Sequence, residues 1–342
     1  MCWQKSVYGP QSITRIIMNW KYKAHLLAVL SRVPGGRAAY HCLQRMAGTN
    51  RLQLDRDLNR ALELVDLIHE ADGKIAGSDV FEVGTGWRPM VPMVFSLLGA
   101  DRVVTVDVNP WLTLPYAAET WRALGTRLEE IATRGGASLE EVQQRYTCCN
   151  AHAHTLVDLL GPLGIEYHYP ADARCTGLPE ESMDLVVSSN VLEHIPAEIQ
   201  LDIHRESQRI LRPDGLAVHR FNPQDHYSTV DGSITNGNFL RYSSADWNWY
   251  GGSGLSYHNR LRSPEYRTLF EQAQLSLDIF RERVDQRTLQ AIQDGSLPVH
   301  SEFSRFTAEE QAVDYVWVAA RKAPVDNAVA AASASLQSNR SL

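Results

Sequence analysis

The chain has 342 residues, a formal net charge of -7 and five cysteines. This length fits one catalytic domain with additions better than a single small module. The cysteines form no C-x-x-C pair and no disulfide framework, no apolar run approaches the roughly 20 residues of a membrane span, and the N-terminus has no signal-peptide core. We therefore expect a cytoplasmic protein.

Positive charge is concentrated in the first 60 residues. This segment has ten basic and two acidic residues, a net charge of +8, so the remainder carries -15. An acidic catalytic body argues against nucleic acid as the main substrate. Residues 11–30 place apolar side chains near helical spacing, with Arg15, Lys21 and Lys23 among them. Such a helix packs on the body or makes a weak peripheral contact with an anionic membrane surface, and both interpretations stay open.

Three regions follow from the pattern of apolar residues and turn formers. Residues 1–75 are predicted as a helical extension, with helices at 11–30, 38–46 and 52–68. Residues 76–322 are predicted as the main domain. Residues 323–342 are rich in Ala, Ser and Asn without an apolar period, which favours a disordered tail.

The main domain is organised around residues 79–89, DVFEVGTGWRP. An apolar strand ends here, Gly84 and Gly86 allow a tight turn close to a ligand, and Pro89 begins a helix that ends near residue 98. A strand, a glycine turn and a helix N-terminus form a nucleotide-sized pocket. A dinucleotide site would require a third glycine where Pro89 stands, and here Glu82 precedes the turn instead.

Alternating strands and helices continue after this turn and favour a doubly wound, parallel α/β sheet. Polar residues follow the second, third and fourth strands, and Asp107, at the end of the second, suits the two hydroxyls of a ribose. The predicted strands are 102–107, 165–169, 183–188, 215–221, 275–281 and 312–320, and the predicted helices are 89–98, 114–131, 139–146, 196–211 and 264–273.

Residues 222–264 are rich in Asn, Asp, Gly, Ser and aromatic side chains, which predicts an ordered lid over the substrate region. Two interpretations of the aromatic residues are open. They could bind a sugar ring or a flat acceptor, or they could pack on one another.

Four motifs occur in order along the chain. After E-x-G-x-G come DARCTGLP from Asp172, SMDLVVSSNVLEHI from Ser182, and RILRPDG from Arg209. This succession resembles the class I S-adenosylmethionine-dependent methyltransferases of the type 11 group, over roughly residues 79–221. The resemblance implies a Rossmann-like seven-stranded sheet whose last strands are antiparallel, with S-adenosylmethionine as the cofactor.

The resemblance also implies the cofactor-binding residues. Glu82 and the glycine turn would hold the methionine end, Asp107 the ribose and Asp172 the adenine amino group, while Asn190 would line the pocket near the sulfonium. The complete set is Glu82, Gly84, Thr85, Gly86, Asp107, Asp172, Ala173 and Asn190. Trp87 departs from the family pattern, which has a small residue there.

Two histidines are candidates for a catalytic base. His194 follows the fourth strand and His226 opens the lid, and either neutral ring could accept a proton from a hydroxyl. The alternative is that each only packs or caps, and the position in a polar loop favours His226. Residues 190–194 partly resemble the E-x-x-E-H metal site of some O-methyltransferases, but Asn190 replaces the first Glu, so no metal is predicted.

These features together predict a methyltransferase that acts on a small molecule or a glycan, with a hydroxyl as the methyl acceptor. Two other classes remain as alternatives. One is an NAD(P)-dependent enzyme on a Rossmann fold, and the other is a methyltransferase-like binding module without catalysis.

Overall fold

The computed structural model describes residues 19–36, 38–40, 51–148, 153–252, 255 and 257–323. Within them, a seven-stranded sheet has the order β3-β2-β1-β4-β5-β7-β6. The strands are β1 (Asp79–Val83), β2 (Arg102–Val106), β3 (Ile165–His168), β4 (Met183–Ser189), β5 (Leu211–Phe221), β6 (Leu275–Val284) and β7 (Val313–Lys322). Strand β7 is antiparallel to both of its neighbours, and all other pairs are parallel.

Helices cover both faces of this sheet. They are α1 (Trp20–Leu30), α2 (Leu54–Glu70), α3 (Met90–Leu97), α4 (Leu114–Leu124), α5 (Leu128–Gly135), α6 (Leu139–Thr147), α7 (Leu156–Leu160), α8 (Ala197–Ile210), α9 (Ser244–Gly251), α10 (Ser263–Gln272), α11 (Gln286–Gln293) and α12 (Ala308–Ala312). One apolar cluster joins α2 and α3 to the sheet, and a second joins α8 and α10 to its other face. Because β1, β2, β4 and β5 run parallel, their carboxyl ends meet at one edge of the sheet.

The predicted sheet is confirmed, including the antiparallel final strands, and three element predictions are wrong. The predicted helix 114–131 is two helices, because the chain turns at Gly125, where a side chain would come within 2.2 Å of the Tyr146 hydroxyl. Helix α7 is not predicted from the sequence. Strand β5 begins at Leu211, four residues before the predicted start.

The N-terminal helix packs on the segment that is predicted as a lid. The Trp20 amide donates to Asp231 Oδ2 at 3.0 Å, and the Trp20 ring lies 5.0 Å from Tyr250 and 5.4 Å from Tyr227. Helix α1, α9 and their neighbours therefore share a third apolar cluster. Residues 11–18, 41–46 and 324–342, on which parts of the predicted helices and tail fall, lie outside the described residues. The predicted boundary near residue 76 falls between α2 and β1.

Candidate active site

The glycine turn lies where β1 meets its neighbours. The Gly84 amide donates to the Val106 carbonyl at 2.9 Å, and both glycines have positive φ, +84° at Gly84 and +65° at Gly86. A side chain at Gly84 would lie 2.6 Å from Val191 Cγ2, so only glycine allows the segment after β4 to pack this closely. The turn thereby joins the end of β1 to the segment that carries Asn190 and His194.

Two carboxyl groups flank this turn. Glu82 is buried at the end of β1 and accepts a hydrogen bond from the Thr105 hydroxyl, and burial raises its pKa to about 8. Thr85 completes this group, with its hydroxyl 2.5 Å from that of Thr105. Burial also raises the pKa of Asp107, while backbone amides stabilise its charged form.

Asp107 is held in place by the backbone around it. Its Oδ2 accepts from the Gly86 amide at 3.0 Å, and its Oδ1 accepts from the Asn109 amide at 2.8 Å. The structure therefore brings Asp107 directly against the glycine turn. Each carboxylate oxygen has further lone pairs, so these bonds leave room for hydroxyl donors.

A cavity of about 220 Å³ lies beside the turn, and four arginines share its wall with Glu82, Gly84 and Thr85. One is Arg88, directly after the turn, and the other three are Arg51, Arg56 and Arg60. Arg60 lies 3.5 Å from Asp57, and burial lowers its pKa. The sequence gives no signal that these arginines belong to the site. The four-residue spacing of Arg56 and Arg60 predicts only that both lie on one face of α2.

Asp172 does not join Glu82 and Asp107. Its carboxylate pairs with Arg174, at 2.6 Å from Nη2, and this ion pair lowers its pKa. Both residues line a depression against the outer side of α8. Its neighbour Ala173 is buried in the apolar cluster between the sheet and α8.

Three aromatic rings lie next to the glycine turn. The rings of Trp87 and Trp111 lie 4.6 Å apart, and Tyr116 meets Trp87 edge-on at 5.9 Å. Trp87 also lines the cavity beside Glu82. The residue that departs from the family pattern therefore forms part of the cavity wall. Trp111 was missed, and its only sequence signal is an aromatic residue shortly after the second strand.

Asn190 is the centre of a polar network at the end of β4. It has a positive φ of 57° and donates through Nδ2 to Glu193 Oε1 at 3.2 Å. Its Oδ1 accepts from the Tyr315 hydroxyl at 3.2 Å and from the Arg220 guanidinium. Arg220 is buried and is paired with Glu63 of α2 at 2.9 Å. The network therefore fixes the side chain of Asn190 and, through it, that of Glu193.

The two candidate histidines lie side by side. The rings of His194 and His226 are 4.8 Å apart, and His194 Nδ1 lies 2.9 Å from the Tyr257 carbonyl. Glu193, His194 and His226 each offer one potential ligand atom, and these atoms lie within 4.8 Å of one another. We call this group the histidine corner. Burial lowers the pKa of His226 well below its usual value and raises that of Glu193.

Other polar residues near the fifth strand are structural. His219 is buried between Ser188 and Phe270, and burial lowers its pKa to about 3. Asp225 is buried, accepts from Asn238 Nδ2 at 2.9 Å and caps the turn at His226, and burial raises its pKa to about 7.

Several aromatic residues of the predicted lid pack on one another. Tyr227, Phe239 and Trp247 are buried in the cluster that also holds Trp20. A depression of about 490 Å³ next to α9 and Glu302 borders this cluster at Trp247 and Phe303. Neither the glycine turn nor the histidine corner lines it.

Comparison with known proteins gives one partial family match. A family model described as "Methyltransferase domain" matches residues 131–219. Among curated proteins, nothing matches the chain. No helix of the described residues is long and apolar enough to cross a membrane.

Similar solved structures include three methyltransferases. A geranyl diphosphate C-methyltransferase from Streptomyces coelicolor is 12% identical, with 75% of this chain and 78% of that chain covered and a TM-score of 0.41. A TehB-like S-adenosylmethionine-dependent methyltransferase from Corynebacterium glutamicum is 12% identical, with coverage of 85% and 100% and a TM-score of 0.39. One from Methanosarcina mazei is 15% identical, with coverage of 75% and 97% and a TM-score of 0.39. At these values the neighbours say nothing about the substrate.

The matched residues 131–219 include the motifs that begin at Asp172, Ser182 and Arg209. This match and the observed strand order agree with the resemblance to class I methyltransferases.

Proposed function

We propose that the chain is an S-adenosylmethionine-dependent methyltransferase and that it transfers a methyl group to a hydroxyl oxygen of a small molecule or a glycan. The observation that supports this most is the histidine corner beside the glycine turn. Glu193 Oε2 and His226 Nε2 are buried there without a hydrogen-bond partner. A hydroxyl is a group that can donate to such acceptor atoms and then lose its proton.

The cofactor would lie along the carboxyl edge from the arginine-lined cavity to the histidine corner. Arg60 would pair with the methionine carboxylate, while Glu82 would face its ammonium group. Asp107 would accept hydrogen bonds from the two ribose hydroxyls. For Asp172 to reach the adenine amino group, it would have to leave its ion pair with Arg174.

The reaction follows from this arrangement. Bound S-adenosylmethionine would supply an activated methyl group. The acceptor oxygen would attack its carbon, and an O–C bond would form as the electron pair of the C–S bond passed to sulfur, which leaves a neutral thioether. The histidine corner would accept the proton of the hydroxyl. The protein contributes mainly proximity, orientation and acceptance of this proton.

The acceptor class can be tested with paired compounds that share a skeleton and carry either a hydroxyl or an amine. We expect methylation of hydroxyl compounds, with the position of the new methyl group determined by NMR. Methylation restricted to the amine or to carbon would contradict the proposal.

The histidine corner can be tested with the same assay. We expect His226→Ala and His194→Ala each to lower turnover by about 10²–10⁴-fold with little change in affinity for S-adenosylhomocysteine. His69→Ala, at an exposed position late in α2, is the matched control. Turnover close to the parental value in both variants would show that neither ring takes part.

A further inference from the structure

We propose that Glu193, His194 and His226 bind one divalent transition-metal ion and that this ion holds the acceptor oxygen. The role toward the acceptor rests on the proposed function. The binding of the ion does not, since it follows from the geometry of three side chains.

The carboxylate is the first part of this geometry. Glu193 is 1% exposed. Its Oε1 accepts from Asn190 Nδ2 at 3.2 Å and from the Asn222 amide at 3.4 Å. Its Oε2 is buried and has no hydrogen-bond partner. A buried polar atom without a partner is unfavourable, so a group that nevertheless leaves one in place is a candidate ligand.

The histidines are oriented in the same manner. A carbonyl oxygen can only accept, so His194 Nδ1 carries the hydrogen that it donates to Tyr257, which leaves the lone pair on Nε2. The His226 ring bonds to the backbone of Asn222, and its buried Nε2 has no partner. A ring nitrogen bonded to a backbone carbonyl, with the other nitrogen free, is the usual arrangement of a metal-bound histidine.

The distances require a small closure. Metal–ligand bonds of about 2.0–2.2 Å hold ligand atoms no more than about 4.4 Å apart. The three potential ligand atoms lie within 4.8 Å of one another before any ion is bound. His194 has an exposed side chain on the short turn Leu192–His194, so a small shift that keeps its bond to the Tyr257 carbonyl can close the site.

The ligand types restrict the ion. Two imidazole nitrogens and one carboxylate oxygen suit Zn²⁺, Mn²⁺, Fe²⁺ or Co²⁺, whereas Ca²⁺ and Mg²⁺ prefer oxygen ligands alone. Three protein ligands also leave at least one coordination position open, as in catalytic sites. An acceptor hydroxyl could occupy it. The ion would lower the pKa of that hydroxyl. Because both free ring nitrogens would bind the ion, the proton would pass to solvent and not to a histidine before the oxygen attacks the methyl carbon.

This arrangement also explains why an asparagine at position 190 is compatible with a metal site. Its Nδ2 donates to Glu193 Oε1, and its Oδ1 is already bonded by Arg220 and Tyr315. Asn190 is therefore a positioning residue and not a ligand. The sequence predicts no metal because the first carboxylate of the pattern is absent, but the fold supplies His226 as the third ligand instead.

Co²⁺ is a suitable probe because its visible absorption reports nitrogen and oxygen coordination. After dialysis against a chelator, the full chain should bind one Co²⁺ per molecule. Loss of a partner that only orients a ligand costs about 10–100-fold in affinity, so loss of a ligand should cost at least as much. We expect that loss in His194→Ala and in His226→Ala, whereas His69→Ala should bind as the parent does.

The result that overturns the proposal is the absence of one-to-one Co²⁺ binding, or binding that neither histidine variant weakens. Calorimetry with S-adenosylhomocysteine on the same samples shows that each variant is folded. The acceptor panel distinguishes the two proposals. If Co²⁺ binds as expected and only amines are methylated, the metal site stands and hydroxyl methylation fails. If hydroxyls are methylated but Co²⁺ does not bind, hydroxyl methylation stands and the metal site fails.

Discussion

The cofactor end and the acceptor end of the candidate site differ in whether their buried polar atoms have hydrogen-bond partners within the chain. At the cofactor end, both oxygens of Asp107 accept from backbone amides and Glu82 accepts from Thr105. At the acceptor end, Glu193 Oε2 and His226 Nε2 are buried and have no hydrogen-bond partner. One end is satisfied by the chain itself, and the other requires something from outside it.

This difference follows from the lengths of chain that build each end. The cofactor end comes from a strand, a turn and the next strand, so local backbone amides are available as donors. The acceptor end combines the turn after β4 with the start of the lid, and its side chains meet only through the fold. A buried group without a partner persists where a ligand completes it.

An unpartnered atom does not by itself indicate a ligand site. His204 is buried, neither ring nitrogen has a hydrogen-bond partner, and its ring packs on Phe270 at 4.1 Å. Among the described residues, His204 belongs to no group of three potential metal ligands, unlike Glu193 with His194 and His226. Three variants sharpen this comparison.

The largest effect is expected from Asp107→Ala, at the satisfied end. Removing two ribose hydrogen bonds to a charged acceptor, each worth about 1.5–3 kcal/mol, should weaken S-adenosylhomocysteine binding more than about 100-fold. Calorimetry measures the affinity, and Asp101→Ala, at an exposed position, is the control. Equal affinity in Asp107→Ala and the parent would remove Asp107 from the cofactor site.

Acid should destabilise the protein through the core histidines. Burial lowers the pKa of His204, and it lowers that of His219 from 6.5 to about 3, so the unfolded chain binds protons that the folded chain does not. The free energy of unfolding should therefore fall as the pH decreases below 6.5, by up to about 1.4 kcal/mol per pH unit for each histidine.

The variant His204→Leu isolates one of these contributions. Urea unfolding at several pH values between 7.5 and 5 should give a shallower loss than in the parent, because one titrating group is removed. His69→Ala should keep the parental slope. Equal slopes in His204→Leu and the parent would mean that His204 is protonated in the folded protein.

The smallest effect concerns α1, which packs on the lid at the acceptor end. Tyr22, Leu26, Val29 and Val33 form an exposed apolar stripe beside basic residues, with Tyr22 73% exposed. We expect weak co-sedimentation with anionic vesicles that decreases with salt, and a further decrease in Leu26→Ser. Val157→Ser, which changes an exposed apolar residue elsewhere, is the control. No sedimentation at low salt would leave α1 with a packing role alone.

The sequence predicts the strands of the sheet, and the family resemblance of its motifs implies the cofactor. Apolar runs followed by Gly84, Asp107 and Asn190 predict strand ends, because parallel strands that are buried on both faces need continuous apolar residues. The four ordered motifs carry the family resemblance, which implies S-adenosylmethionine as the cofactor. These signals are local, and each lies within one strand and the turn after it.

Only the tertiary structure decided how distant residues combine. The sequence treats His194 and His226 as alternatives, whereas the fold places their rings 4.8 Å apart with Glu193 beside them. It also turns Asp172 toward Arg174 and brings the arginines of α2 to the glycine turn. Separation along the chain does not report these contacts, since they depend on the paths of β5, α2 and the lid around one edge of the sheet.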